Sequence, residues 1–421
     1  MYFKKSRRDF IKDISFISTG ALMASLTPWL ACSPAIQSSE TDKPVHIAIV
    51  GTGSRGTLLL DNLLKINSVK IVALCDNYAP HLKKAVEMVK GQPVKEYTDY
   101  RKLLEDKNIQ GIVIATPLYL HAQMTVDFLM AGKHVYCEKS MAMTVEDCKK
   151  MVIAQRETKR VLFVGHQRLY SSVFNKAFEI VKNCEIGAIK QVRAFWHRNN
   201  NWRRDVSDPK LERQINWRLY REFSCGLMTE LASHQIHVSN WFLGQNPVSV
   251  YGSGSINFWK DGREVFDNVN LVYKYPDGTH MLYDSMISNK HYGLEEQFMG
   301  DLGTLEPEKG RMFFEKPKKS PGIVQLIQDA ERGVFHVLPM ASSSWIPEIE
   351  SEDEERQLIT PFPNSDGTYE TLDAFARSVE SGIQPPQILE QAYYATAWTL
   401  LGLQAMEKNE IVVWKKEYEL S

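Results

Sequence analysis

Between residues 45 and 164 the apolar positions fall in short blocks, separated by segments with helical spacing. Val45–Val50 is rich in β-branched residues and unbroken by charge, the pattern of a strand buried on both faces of a parallel sheet. Residues 57–64 carry apolar side chains at helical intervals, and Val69–Cys75 is a second apolar block. The alternation continues with a helix over 81–90, a strand over 111–115, a helix over 121–131 closed by Gly132, and a strand at His134–Cys137. Val145–Thr158 is helical and 161–164 is a further strand. Regular alternation of this kind builds a parallel sheet with right-handed crossovers.

After His166 the period changes. Residues 190–196, 248–256, 269–275 and 279–285 alternate apolar and polar positions, as strands do when one face is packed and the other is open. Pro276-Asp277-Gly278 is a turn signal that makes the last two a hairpin. Residues 391–405 are a late apolar helix. The expected fold is α/β: an N-terminal Rossmann dinucleotide-binding domain over 44–166, and a C-terminal α+β substrate and oligomerisation domain over 167–421. Residues 316–356 match no chemistry, and the acidic run 348–355 reads as solvated surface.

With 421 residues the chain is long enough for two cores. A net charge of -1 gives no basic field for nucleic acid. The six cysteines form no Cys-x-x-Cys pair, which removes a zinc ribbon or dithiol motif. Cys75 and Cys137 lie in apolar blocks and are expected to be buried.

Residues 1–43 read as an address. Ser6-Arg7-Arg8-Asp9-Phe10-Ile11-Lys12 resembles a twin-arginine export signal, and an uncharged apolar run over 14–26 follows. Trp29-Leu30-Ala31-Cys32 resembles a bacterial lipobox, with Trp29 where an aliphatic residue is usual. Residues 33–43 read as a flexible tether. The expectation is a periplasmic protein, lipid-anchored through Cys32. The twin-arginine route resembles one that carries folded proteins, which gives an enzyme preloaded with dinucleotide a reason to use it.

Gly51-Thr52-Gly53-Ser54-Arg55-Gly56 sits between the first strand and the first helix, the context in which Gly-x-Gly-x-x-Gly binds a dinucleotide. The first glycine allows the tight turn, the second lets backbone approach the pyrophosphate, and the third allows close helix–strand packing. Asp76 ends the second strand about twenty residues on, where an acid bonds ribose hydroxyls and repels a 2′-phosphate. NAD is therefore expected over NADP. Ligands of such sheets gather at the carboxyl ends of the strands. Thr116, Pro117, His121, Glu138, Lys139, His166 and Arg168 all lie at or near those ends.

These pieces resemble the Gfo/Idh/MocA family, which includes glucose–fructose oxidoreductase and inositol dehydrogenase. The resemblance is carried by residues 51–56, Ala115-Thr116-Pro117 with His121, Ala131-Gly132-Lys133-His134-Val135, and Glu138-Lys139, and extends from about Val45 to about Trp414. It implies a large, mostly antiparallel C-terminal sheet with one face toward the cofactor; the open face of that sheet is where a homo-oligomer is expected to form. Ser140 stands where the family has proline, which removes the residue that favours a cis peptide there.

Glu230, His234 and His237 follow one another at i, i+4 and i+7 on an expected helix face. Glu230 and His234 match the family's acid and histidine, whereas His237 replaces an acid. Three readings stand. His234 is the acid/base group beside a sugar, as the resemblance implies. The three residues hold a metal. Or they only pack. Asn199-Asn200-Asn201-Trp202-Arg203-Arg204 and Trp217-Arg218 supply amides, aromatics and guanidinium groups suited to a sugar, against the alternative of a solvated loop. His166 and Tyr170 are further substrate candidates. Lys139 and His234 are the expected catalytic pair, and one of them accepts a hydroxyl proton while hydride leaves for NAD. Relatives in glycoside hydrolase family 109 instead oxidise a sugar transiently and cleave it. The Glu138-Lys139 pair favours the dehydrogenase. A non-catalytic binding protein is the third class.

Overall fold

The five apolar blocks of the first half, joined at one edge by the short polar strand Lys95–Tyr97 that the hydrophobic pattern did not announce, form six parallel strands. They are β1 (Val45–Val50), β2 (Val69–Cys75), β3 (Lys95–Tyr97), β4 (Gly111–Ile114), β5 (His134–Cys137) and β6 (Leu162–Val164). Their order is β3-β2-β1-β4-β5-β6. The order reverses between β1 and β4, and the carboxyl ends there open a crevice suited to a ligand. Helices α1 (Ser54–Leu63), α2 (Ala79–Met88), α3 (His121–Met130) and α4 (Val145–Thr158) make the crossovers. Ile47, Ile49, Leu59, Leu60 and Leu63 are wholly buried, so α1 docks on β1 through its apolar stripe. Thr144 caps α4 by accepting the Asp147 amide at 3.1 Å.

The computed structural model describes residues 43–315, 356–357 and 365–420. The expected export signal and Cys32 lie outside the described residues, as does the acidic run 348–355. Among the described residues the five cysteines are free thiols, and Cys75 and Cys137 are buried as expected.

A nine-stranded sheet fills the second half, in the order β14-β13-β12-β11-β7-β10-β9-β8-β15. The strands are β7 (Ile189–His197), β8 (Ser249–Ser255), β9 (Asn268–Lys274), β10 (His280–Met286), β11 (Leu294–Gly300), β12 (Gly303–Glu306), β13 (Arg311–Phe314), β14 (Arg356–Gln357) and β15 (Val412–Val413). Every neighbour is antiparallel except β7 with β10. The expected hairpin is present: Lys274 faces His280, and the Tyr275 amide donates to the Thr279 carbonyl at 2.9 Å. Gly278 takes a φ of +91°, which a side chain would resist. Val269, Leu271, Tyr273, Met281 and Tyr283 point into the core, while Val272 and Leu282 stay on the open face.

Helices α5 (Ser172–Lys182), α6 (Ser233–Leu243), α7 (Thr368–Ser381) and α8 (Ile388–Lys408) complete the core. The described residues from Pro44 onward form one compact unit. The last part of the chain reaches back: Leu372, Phe375 and Val379 of α7 join the apolar cluster of β1, β4 and α1. Phe375 packs edge-on against Tyr136 and Phe163, at ring-centre distances of 5.9 and 5.6 Å. Ahead of α6 the chain makes a π-helical turn, Met228–Ala232. Such turns widen the helix and re-aim the side chains that follow.

Candidate active site

A cleft of about 1130 Å³ runs along the carboxyl ends of β1, β2, β4 and β5 and under the π turn. It exceeds the space one small ligand usually needs. At its nucleotide end Gly51 has a φ of +88°, and a Cβ there would lie 2.6 Å from the Ala115 carbonyl oxygen. A Cβ on Gly56 would lie 1.9 Å from the Gly51 carbonyl oxygen. Only glycine fits either position, so α1 sits directly on the turn. No side chain caps α1, which leaves its first-turn amides for an anion. Gly53, Ser54 and Arg55 line the cleft; Thr52 and Gly56 do not. Thr52 instead turns its amide and hydroxyl to Asp76, donating at 2.7 and 3.1 Å.

Asp76 also accepts the Tyr78 amide at 2.8 Å and has His81 3.7 Å away. Burial alone would raise its carboxyl, but His81 and the amides of Tyr78 and Thr52 outweigh that and hold it below its ordinary value. The acid is thus fixed and ionised where the cleft would receive a ribose. The tight glycine turn, the free helix amides and this carboxylate fit a dinucleotide without a 2′-phosphate.

Glu138 links the turn to the centre of the cleft. It accepts Arg55 Nε at 2.7 Å, the Tyr136 hydroxyl at 3.3 Å and the Lys139 amide at 3.2 Å. The ion pair keeps Arg55 charged against the cost of its burial. Lys139 Nζ donates to the carbonyls of Thr229 and Glu230, both at 2.9 Å. Burial lowers the Lys139 ammonium below its ordinary value, with Glu230 and Glu138 opposing. The Lys139–Ser140 peptide is cis, although serine replaces proline there. Ser140 Oγ donates to the Thr229 carbonyl at 3.2 Å.

His121 lies behind this bend, 2 % exposed, with its ring nitrogens 2.8 Å from the Ser140 carbonyl and 3.0 Å from the Thr116 carbonyl. It braces the two strand-end turns. Thr116 and Pro117 line the cleft.

His234 borders the cleft beside Trp196, with ring centres 5.7 Å apart. Burial, then Lys139 and Arg168, push its imidazole well below the ordinary value, so it is neutral across the physiological range. Glu230 accepts Arg218 Nε at 2.6 Å. Trp202, Arg203, Trp217 and Arg218 all line the same end. Arg203 is tied to Glu212 and Asp261, which holds its loop in place.

Five expectations change. His237 does not share the cleft with Glu230 and His234; it stacks on His166, at a ring-centre distance of 4.3 Å and 9° between planes. The π turn alters the spacing on which the shared face rested. His166 and His237 are both 2 % exposed, and neither lines the cleft, so His166 is set back behind His234 rather than offered to a sugar. No group of three His, Cys, Asp or Glu side chains among the described residues is placed to hold a metal, and Glu230, His234 and His237 do not converge. Tyr170 stacks on Phe163 at 6.2 Å, away from the cleft.

Arg168 is the fifth. It is 6 % exposed and paired to Glu296 and Glu308 rather than directed at a nucleotide. Burial pushes the Glu296 carboxyl up and Arg168 opposes it. Arg168→Met leaves that carboxylate without its partner and is expected to lower the unfolding free energy by about 3–5 kcal/mol in urea titrations. The loss should shrink at low pH, where a protonated Glu296 needs no counter-charge. A variant as stable as the parent would show that the pair contributes nothing.

Residues not anticipated also line the cleft. Tyr78, His81 and Tyr119 border the nucleotide side, and Trp196 and Arg198 the other. Trp196 lies near the end of β7 and Arg198 just beyond it; the strand's alternation was legible, but alternation alone does not say which residue meets the cleft.

Known proteins extend this picture. Residues 45–166 match the profile of the GFO/IDH/MocA oxidoreductase family, described as an NAD-binding Rossmann fold. Residues 174–306 match the GFO/IDH/MocA C-terminal domain. Myo-inositol 2-dehydrogenase of Thermotoga maritima is 23% identical over 314 residues, covering 73% of this chain and 86% of that protein. A glycosyl hydrolase family 109 protein of Stenotrophomonas maltophilia is 29% identical over 201 residues, 46% of this chain and 42% of its own. The fold is that of levoglucosan dehydrogenase solved with NADH and L-sorbose, at a TM-score of 0.69 and 15% identity over 88% of this chain and 99% of the other.

Proposed function

This chain belongs to the Gfo/Idh/MocA oxidoreductase family, and on that premise we propose that it oxidises a ring hydroxyl of a sugar, glycoside or cyclitol with NAD. One observation carries the reading. Lys139 is pinned by the carbonyls of Thr229 and Glu230, within the turn that leads into His234. The two polar groups are therefore fixed relative to each other in the cleft that begins at the glycine turn.

Residues 51–56 and Asp76 would hold NAD, which when bound supplies the hydride acceptor. The protein's own groups do the rest. Two of the three Lys139 N–H groups are taken by carbonyls, and the third is free for the substrate oxygen. His234, neutral and bordering the cleft, accepts the hydroxyl proton. Trp196, Trp202 and Trp217 give flat apolar walls for a ring.

A second reading is favoured by the similarity to the glycosyl hydrolase family 109 protein: the same oxidation followed by glycoside cleavage and return of the hydride. One experiment separates them. The protein is mixed with NAD and a panel of cyclitols and glycosides, and reduced nicotinamide and sugar products are followed together. Accumulating reduced cofactor with a keto product is the expected result. Free monosaccharide with no net reduction would favour the second reading. No affinity for NAD or NADP would end both.

We also infer export by the twin-arginine route with a lipid anchor at Cys32, supported by the order Arg7-Arg8, apolar run and Trp29-Leu30-Ala31-Cys32 in the sequence. Cell fractionation and the mass of the mature amino terminus test it; a cytoplasmic, unprocessed chain would refute it. A homo-oligomer is supported by Val272 and Leu282 on the open sheet face, and sedimentation as a monomer would refute that.

A further inference from the structure

We propose that the substrate end of the cleft selects an acidic sugar, one bearing a carboxylate, sulfate or phosphate, through Arg198 and Arg204. The inference rests on the oxidoreductase reading above and names its substrate class.

The arginines at this end fall into two groups. Arg218 is neutralised by Glu230 at 2.6 Å, Arg203 by Glu212 and Asp261, and Arg213 by Glu222 and Glu264 at 3.0 and 3.3 Å. Arg198 and Arg204 line the same cleft, yet no carboxylate among the described residues lies within ion-pairing distance of either. Glu230 is the carboxylate bordering this end, and it is already engaged by Arg218. Arg198 feels Glu230 only at longer range, and neither guanidinium has an ion-pair partner of its own among the described residues.

Both are held from the backbone. The Arg204 amide donates to Asn216 Oδ1 at 2.7 Å, and its carbonyl accepts Asn216 Nδ2 at 3.0 Å. Asn216 is itself buried. The Arg198 amide donates to the Met286 carbonyl at 2.9 Å, and its guanidinium lies 4.8 Å from the centre of the Trp196 ring. Both residues are exposed along the cleft wall; the burial they do have lowers them below the ordinary arginine value, with Glu230 opposing at Arg198 and Arg218 adding repulsion at Arg204. An anion held by either group offsets that group's penalty, and a guanidinium fork matches a planar or tetrahedral oxyanion. Trp196 offers a ring face beside Arg198, so sugar ring and acidic substituent are recognised together.

The test uses the full chain saturated with NAD. Tryptophan fluorescence reports the cleft, since Trp196, Trp202 and Trp217 border it. Titrations compare D-glucuronate with D-glucose, D-galacturonate with D-galactose, and D-glucose 6-phosphate and 6-sulfate with D-glucose. At least one acidic sugar should bind about tenfold or more tightly than its neutral partner, and the advantage should fall with added salt. The phosphate and sulfate arms tell which acid is preferred. Arg198→Met and Arg204→Met should each weaken the acidic sugar about tenfold and leave the neutral one unchanged. Equal binding of acidic and neutral sugars, or no binding of any acidic sugar, overturns the proposal. Variants that lose NAD rather than charge preference would assign the arginines to the nucleotide and overturn it too. Failure of the parent protein to bind NAD is a separate result and defeats the oxidoreductase reading itself.

Discussion

Replacing Lys139 by methionine is expected to lower kcat/KM about a thousandfold while NAD affinity stays near that of the parent. The length of the side chain is kept and its charge removed. The carbonyls of Thr229 and Glu230 lose their donor, and the substrate oxygen loses the third N–H. Lys139→Arg provides the control, because it keeps the charge but cannot lose it at accessible pH.

The pH profile carries the sign. Burial lowers the Lys139 ammonium, so the parent should lose activity on the alkaline side as pH rises through a value below that of free lysine. In Lys139→Arg any remaining activity should not fall there. His234 is held well below its ordinary value, so the acid limb should lie below the usual histidine range. Steady-state kinetics across pH, with NAD binding measured in parallel, decide the matter. A methionine variant with parental kcat/KM would remove Lys139 from the chemistry.

Gly56→Val is expected to weaken NAD about a hundredfold, the scale of a few kcal/mol for overpacking. Even the first carbon of a side chain would sit 1.9 Å from the Gly51 carbonyl oxygen and 2.9 Å from its carbon. Both obstacles are backbone, so nothing flexible can yield, and α1 must lift away from the turn. Gly53 is a useful contrast: the nearest atom to a Cβ there is on the His81 side chain at 3.5 Å, an ordinary contact. Gly53→Ala should therefore leave the melting temperature near that of the parent, while Gly56→Val lowers it. Calorimetric titration with NAD reads the affinity, and an unchanged Kd for Gly56→Val would mean the turn does not cradle the cofactor.

The first sheet was legible because parallel strands buried on both faces write themselves as apolar blocks, and the glycine turn and Asp76 are fixed by their distances from those blocks. The second sheet was legible at its hairpin, where alternation and a Pro-Asp-Gly turn coincide. The π turn was not, because nothing in Met228–Ala232 distinguishes a five-residue hydrogen bond from a four-residue one. That turn spoiled the expected line of Glu230, His234 and His237. Arg168 was misread for a different reason. Its place after β6 was right for a nucleotide contact, but the acid that captures it is Glu296, 128 residues away, and no local spacing announces such a partner. Arg55 and Glu138 illustrate the same limit: both were noticed, and their bond, which joins the glycine turn to the start of the Lys139 bend, was not.

The return of α7 to the first sheet has a consequence for biosynthesis. Leu372, Phe375 and Val379 close a core begun by Val45 and Ile47. A ribosome must therefore release the chain through Val379 before the nucleotide cradle has its last wall. An amino-terminal fragment ending after β6 would leave that wall missing and bare apolar surface in water.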